Sequence, residues 1–474
     1  MRARTFRVSL ALLAAVVASS AAVAKQPPVM PKGLPAFGAD KPLPVPTIVT
    51  ETLPNGLMVW IVPRPGFPKV DASLVVRGGY AADPRDLPGV SHLMATALKE
   101  GTAARTSKQI AEQMQAIGGT IDATNSDDAT FISADALATD AATLVEIVAD
   151  VAQHAAFPKD EVDLVKENAL QELKEKASRP EFAVQAAFRT AIYGDHPYHV
   201  VAPTEESIEK VTPELLKAEH ARRFLPDRAL LVVAGAVDAE TLKPFIRKVF
   251  AGWSNAGQAT AATPPSPAAR DARTFVLVNR TGSVQAEIRV GRPTMKATDA
   301  DFYPMVVANT IFGGAFASRL TDNIREDKGY TYSPGSTNQP HEQGGLLQVR
   351  AAVRTDVTAG TLLEIFYELD RMGANLPTDE ELARAKRYQN GLYLLTNSLN
   401  GAVVNTLATN WVNGLPPSAL AEFVPKINAV TAEQVQGIGR KYMSSLTQTV
   451  VVGGDAAKIQ PAVAQFGTVT MSQR

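Results

Sequence analysis

Six histidines and no cysteine bound the metal chemistry open to this chain of 474 residues. Without thiolates, every ligand has to be an imidazole or a carboxylate, and disulfides and cysteine nucleophiles are excluded at the same time. His154, His220 and His341 have no ligand-like spacing to another candidate. His196 and His199 are three residues apart, but the intervening Pro197 argues against a helical pair. His92 sits in an apolar stretch expected to be helical from about Leu87 to Lys99, and Glu172 lies in a charged run, Gln171–Lys176, of a later helix. Read plainly, His92 is a helix residue satisfied by a neighbour, and Glu172 belongs to a solvated face. A Gly-x-Ser-x-Gly elbow and a P-loop are both missing, which leaves serine-hydrolase and nucleotide-hydrolase readings without support.

The segment around His92 carries more information than its ligand count. Gly89-Val90-Ser91-His92-Leu93-Met94-Ala95-Thr96-Ala97-Leu98-Lys99-Glu100-Gly101-Thr102 resembles the zinc-helix segment of the pitrilysin and insulinase family, which includes the mitochondrial processing peptidases. The family's inverted motif is His-x-x-Glu-His. Here the first histidine is His92, the glutamate position is Ala95 and the second histidine position is Thr96. Positions four apart on a helix share a face, so two histidines there can hold one zinc while the glutamate between them takes a proton from the bound water. Alanine transfers no proton, and threonine is a poor zinc ligand. The resemblance makes Glu172 the third ligand position, 76 residues beyond Thr96 (172 minus 96); with His92 that makes two ligands, short of the three usual at a catalytic zinc, so no metal is expected on this chain.

A second segment keeps its motif. Ile311-Phe312-Gly313-Gly314-Ala315-Phe316-Ala317-Ser318-Arg319-Leu320 leads into Ile324-Arg325-Glu326-Asp327-Lys328-Gly329-Tyr330-Thr331-Tyr332. It looks like the family's C-terminal segment, in which an arginine and a tyrosine seven residues apart reach the substrate. The resemblance implies that Arg325 and Tyr332 grip the peptide backbone and stabilise its carbonyl oxygen as charge develops, and that Gly313-Gly314 lets the chain turn close beside it. The plain alternative is an ion pair of Arg325 with Glu326 or Asp327, and a strand tyrosine with one wet end.

The elements that must position these residues follow from local signals. Leu53-Pro54-Asn55-Gly56-Leu57 predicts a hairpin, with Asn-Gly supplying positive φ, and strands are expected to follow at Leu57–Val62 and Val70–Val76. Thr106 with Gln109 predicts a capping box, Ile110, Met114 and Ile117 share the helical face that follows, and Gly118-Gly119 ends the element. Long helices are expected over Ala141–Ala155 and Lys159–Ala177, the latter with Val162, Val165, Ala169 and Leu173 near helical spacing. The same order recurs later: paired strands at Thr120–Leu137 and Gly335–Arg354, two long helices, and a closing apolar strand ending in glycine (Ala229–Gly235 and Gln448–Gly454). A duplication of this period means two copies of one unit. The expected fold class is α+β: two homologous halves, each of two α+β subdomains with a mainly antiparallel sheet and packed helices, forming a clamshell.

The division along the chain is a signal peptide at 1–24 and an extended Pro/Gly arm at 25–46. The N-terminal half is 47–253, a Pro/Gly/Ala-rich hinge linker 254–273, and the C-terminal half 274–474. The signal rests on Arg2, Arg4 and Arg7, the apolar Val8–Val17, and the small residues Ala22-Val23-Ala24. Export to a periplasm, rather than beyond the cell, is expected, with no membrane anchor after cleavage. A formal net charge of −1 offers no footprint for nucleic acid. The function expected from the resemblance is the complementary, zinc-deficient subunit of a heterodimeric zinc metallopeptidase. In that reading a homologous companion carries the zinc motif and the zinc, peptides are the substrates, and this chain alone is inactive. The alternative is a peptide-binding or scaffold protein of the same fold without catalysis.

Overall fold

A computed structural model describes residues 46–255, 265–268 and 271–472. The expected signal peptide, nearly all of the arm and most of the linker lie outside the described residues. In the first half, β1 (Val49–Thr52), β2 (Met58–Pro63) and β3 (Lys69–Arg77) lead to α1 (Val90–Ala97) and α2 (Ser107–Ala116). Then come β4 (Thr120–Asn125), β5 (Ala129–Leu137), α3 (Ala141–His154), α4 (Lys159–Ser178) and α5 (Pro180–Tyr193). The short α6 (Glu205–Glu209), α7 (Pro213–Arg223), β6 (Ala229–Gly235) and α8 (Ala239–Phe250) complete it. The second half opens with β7 (Thr274–Asn279), β8 (Gln285–Pro293) and α9 (Phe302–Asn309), which continues as a π-helical turn over Thr310–Gly314. A second π turn spans Thr321–Asp327 before β9 (Gly335–Gln339) and β10 (Leu346–Arg354). Helices α10 (Thr358–Ala374), α11 (Asp379–Thr396), α12 (Asn400–Val412), α13 (Ala419–Ala429) and α14 (Ala432–Tyr442) precede β11 (Thr449–Gly454), α15 (Ala456–Val463) and β12 (Val469–Met471).

Each half is organised on one six-stranded, mainly antiparallel sheet, ordered β1-β2-β6-β3-β5-β4 in the first and β12-β7-β11-β8-β10-β9 in the second. The inner five strands correspond one to one, including the parallel pairs β2/β6 and β7/β11. The outer strand differs: β1 precedes its sheet in the chain and runs antiparallel to β2, whereas β12 comes last and runs parallel to β7. Neither half closes on its glycine-ended strand, because α8 follows β6, and α15 and β12 follow β11. The hairpin at 53–57 forms with Gly56 at φ 94, and Gly56 alone takes positive φ there. Asn55 serves it differently, donating its amide to the carbonyls of Phe250 and Trp253 at 2.9 Å each. The Thr106/Gln109 capping box is present in full.

Strands β6 and β11 are buried along their whole length, as unbroken apolar runs require when both faces of a sheet are covered. On one face Leu231 and Val233 join the core beneath the first half's own helices. On the other, Leu230, Val232 and Ala234 pack with Trp60 and Val62 against Val403, Val404, Leu407, Ala408 and Trp411 of α12, a helix from the second half. The exchange is reciprocal. Val184, Phe188 and Ile192 of α5 pack on Val278, Leu346 and Val451 of the second sheet. Two strand glycines make room for it: a Cβ on Gly453 would lie 2.2 Å from Val184, and one on Gly291 3.0 Å from Phe188.

A polar seam joins the halves where two turns of the duplicated unit meet. Tyr198 donates its hydroxyl to Asp128 at 2.6 Å and accepts from the Gln343 amide at 3.0 Å. Asp128 also accepts from the Glu342 amide at 3.0 Å, Arg189 pairs with Asp127 at 2.8 Å, and Arg77 pairs with Glu342. The Gly194–Tyr198 loop is thus a structural turn that delivers Tyr198. His196 and His199 do not converge on a common point: His196 Nε2 meets the Pro265 carbonyl, and His199 Nδ1 the His196 carbonyl.

Candidate functional site

The position of His92 is set from the start of α1. Gly89 adopts φ 84, and a Cβ there would lie 2.5 Å from Pro203 Cα, so only glycine fits this entry turn. Asp83 takes over the capping, accepting from the amides of Gly89 at 2.7 Å and Ser91 at 3.2 Å and from the Ser91 hydroxyl at 3.1 Å. Arg223 of α7 pairs with Asp83 at 2.9 Å and with Glu219 at 2.8 Å. Burial pushes the Asp83 carboxyl up to about 6, against the opposing pull of Arg223.

On that frame His92 Nδ1 lies 3.2 Å from Asn125 Oδ1. The Asn125 amide nitrogen donates to Ser91 Oγ at 3.1 Å, which leaves its oxygen as acceptor for the imidazole N–H. The Tyr80 ring stacks at 6.2 Å from the His92 ring. His92 Nε2 points at Glu172 of α4, 3.8 Å from Oε2. Lys176, bonded to Glu172 at 2.5 Å, holds this carboxyl below the usual glutamate range, with His92 adding to the effect. The structure therefore brings together the two donor positions that the sequence identified.

The other two motif positions do not join them. Ala95 is buried in α1 and carries no donor, and the Thr96 hydroxyl turns back to the His92 carbonyl at 3.0 Å. Among the described residues no group of three histidine or carboxylate side chains could hold a metal ion. The donor set thus does not fit a zinc of the catalytic kind, which needs three protein ligands and a base for its water.

In the second half Arg325 and Tyr332 do meet. The Arg325 guanidinium carbon lies 4.6 Å from the Tyr332 ring centroid and 4.6 Å from that of Phe316, within cation–π range for both. Tyr332 is 80% and Phe316 68% exposed, so the pair of rings is presented to solvent. Of the two plain readings, the ion pair is present and the strand is not. Arg325 pairs with Glu326, its Nε 3.4 Å from Oε1. Tyr332 lies in a bend after Gly329 and before β9, not in a strand. Phe316 escaped the sequence reading; its signal was an aromatic residue in the loop between the glycine pair and Ser318-Arg319. The glycine pair is required by the chain's own packing, since a Cβ on Gly313 would lie 2.6 Å from Leu320 and one on Gly314 2.6 Å from Asn309. Arg319 turns inward to a two-point pair with Glu381, at 2.7 and 3.0 Å. Among the described residues no hydrogen bond, ion pair or ring contact links Arg325 or Tyr332 to His92 or Glu172.

Residues 59–201 match the family described as Insulinase (Peptidase family M16), and residues 210–388 match the one described as Peptidase M16 inactive domain. The chain belongs to the M16 peptidase family. Its similarity to M16 relatives runs nearly end to end. An uncharacterized zinc protease of Bacillus subtilis, YmxG, is 25% identical over 82% of this chain and 94% of its own length. One from Mycobacterium leprae is 26% identical over 87% and 93%. The M16 fold is seen again in a crystal structure titled as a peptidase M16 inactive domain from Pseudomonas fluorescens, with TM-score 0.80 at 24% identity, covering 86% of this chain and 98% of that one. A protease from Helicobacter pylori superposes with TM-score 0.79 at 17% identity, covering 86% and 99%. Within this M16 chain, then, the segment that resembles the family's zinc motif carries His92, Ala95 and Thr96, and the second half presents Arg325 and Tyr332 together.

Proposed function

We propose that this chain is the complementary, zinc-deficient subunit of an exported, periplasmic heterodimeric zinc metallopeptidase. A homologous companion with an intact His-x-x-Glu-His brings the metal and the hydrolytic step, and this chain brings Arg325 and Tyr332 to the peptide. The observation that carries the reading is an asymmetry between the two sites. At the metal position two donors face each other with no third ligand and no base, while Arg325 stands assembled against Tyr332 and Phe316 at the surface.

The chemistry asked of this chain is binding and orientation. The Tyr332 and Phe316 rings hold the Arg325 guanidinium at this edge, where its planar fork of N–H groups can donate to a peptide carbonyl. Donors fixed before the substrate arrives need little reorganisation as the carbonyl oxygen gains charge. The exposed Tyr332 hydroxyl adds a second donor at the same edge.

The test is cleavage of a quenched fluorescent peptide by this chain, by the companion encoded with it, and by the mixture. Activity confined to the mixture, and lost in the R325A/Y332A double variant although the two chains still co-elute, is the expected result. Full activity of that variant, or equal activity of the companion alone, overturns the proposal. Silence of a mixture that co-elutes favours the alternative of a peptide-holding protein without cleavage.

A further inference from the structure

Helix α11 is seated by one face only. Ala385 is buried on that side, and Gln389 donates to Thr310 at 2.7 Å. Tyr393 stacks on Phe423 at 4.1 Å and donates to the Leu420 carbonyl at 2.9 Å. The flank beside that face carries Tyr388, Leu392 and Leu395, 42%, 46% and 73% exposed, and Leu399 just beyond the helix is 69% exposed. Spacings of four and three residues place Tyr388, Leu392 and Leu395 along one stripe, and Leu399 follows in the connection to α12.

Gly391 lies on this side, inside the helix. A Cβ there would meet no atom within 4 Å. Glycine in a helix interior is unfavourable relative to alanine, and nothing in the chain's own packing requires it. An absent side chain in the middle of an exposed apolar stripe leaves space where another backbone can pass.

The duplication shows what this face corresponds to. Helices α4 and α5 begin at 159 and 180, and α11 and α12 at 379 and 400, a constant offset of 220 (379 minus 159, 400 minus 180). Tyr388, Gly391, Leu392 and Leu395 therefore answer to Asn168, Gln171, Glu172 and Glu175. The face that holds Glu172 opposite His92 in the first half is apolar in the second. At its far end the stripe runs on into α12, where Val403 and Val404 pack across the interface between the halves.

The four exposed side chains offer roughly 400 Å², within the size range at which surface apolar patches are often functional. A stable protein–protein interface needs about 800 Å² from each partner. The stripe has room for a short segment of chain, not for a folded subunit.

We infer that the stripe Tyr388–Leu392–Leu395–Leu399 is a docking strip for apolar side chains of an unfolded peptide, with Gly391 where the peptide backbone passes closest. This rests on the peptide-binding reading above and adds its substrate class: segments rich in aliphatic and aromatic residues.

Fluorescence anisotropy on the full chain tests it with two labelled peptides of equal length, one carrying leucine and phenylalanine at alternate positions and one with serine in their place. The apolar peptide should bind at least about tenfold tighter, and L392D/L395D should erase that preference. G391L should raise the melting temperature yet weaken the apolar peptide, a combination that a purely structural role for Gly391 does not produce. Equal binding of the two peptides to the wild type, or a preference surviving in L392D/L395D, overturns the inference. So does a wild-type dimer that L392D/L395D converts to monomer with peptide binding unchanged, since the occupant is then a second copy. R325A/Y332A separates the two proposals: it should keep the apolar preference while losing companion-dependent cleavage, so either can fail without the other.

Discussion

Replacing Thr96 by histidine should turn the His92–Glu172 pair into a zinc site. Two atoms bound to one tetrahedral zinc at about 2.0–2.1 Å lie roughly 3.3 Å apart. His92 Nε2 and Glu172 Oε2 are already 3.8 Å apart, so closure by about half an ångström suffices. Thr96 stands one turn beyond His92 on the same face, and the substitution gives up only its hydroxyl bond to the His92 carbonyl. A four-ligand structural zinc stabilises its site by about 10–16 kcal/mol, or about 2.5–4 kcal/mol for each ligand. A third ligand should therefore tighten zinc by about 10²–10³-fold over the wild type. Competition against a chromophoric zinc indicator near neutral pH measures this directly, and T96H/E172Q should fall back towards the wild-type affinity. The variant should still cleave no peptide, because Ala95 leaves the site without a base. A gain below about tenfold, or a wild-type chain that already binds one zinc at nanomolar affinity, would refute the ligand-count reasoning.

Burial alone would raise the Glu381 carboxyl, but hydrogen bonds from Arg319 and the Thr378 amide hold it at about 2. Its contribution, about 2 kcal/mol after allowing for solvent screening, is present above the ordinary glutamate value of 4.5 and lost as pH falls through about 2; E381Q should be less stable near neutral pH and lack that part of the acid limb in chemical denaturation. Phe188→Ala, at a fully buried position of the exchanged helix α5, should cost about 3–5 kcal/mol, and far- and near-UV circular dichroism should show one shared transition rather than early loss of one half.

What the sequence made legible was local. Capping at Thr106, the turn at Gly56, and the doubly buried strands all announce themselves within a few residues, because backbone geometry and apolar runs are short-range signals. The duplication was readable from element order, and the likeness of β2–β6 to β7–β11 confirms it. The helix exchange was not. Periodicity shows that α5 has an apolar face bearing Val184, Phe188 and Ile192, but nothing in a period of 3.6 says which sheet receives it. The clue was Gly453, which looked like a strand end and proves to be the space that Val184 fills. The site divides in the same way. Glu172 was linked to His92 by family likeness alone, whereas Phe316 was invisible because a cation–π partner has no fixed separation from its arginine. Asp128 and His341 were unreadable for a similar reason: their approach to 3.6 Å crosses from one half to the other.

The persistence of His92 and Glu172 as neighbours does not require a metal to be there. Asp83, Ser91, Arg223 and Glu219 fix the start of α1 with buried, charge-assisted bonds, and removing any one partner would leave a buried charge exposed to an apolar surrounding. The helix is thus held by the first half's core, and His92 rides on it. Ala95, by contrast, is 1% exposed on the inner side of the same helix. A glutamate there would be a desolvated carboxylate, costly unless a cation lies beside it. Once the second histidine is threonine, such a cation is held by two donors only, and alanine becomes the better-tolerated residue at 95. Thr96 and Ala95 are in this sense compatible with each other, and the scaffold around them is intact. Arg325 stands under no such coupling: its partners Tyr332, Phe316 and Glu326 all lie in its own segment, 316–332, so the peptide-binding role proposed for it needs nothing from the metal position.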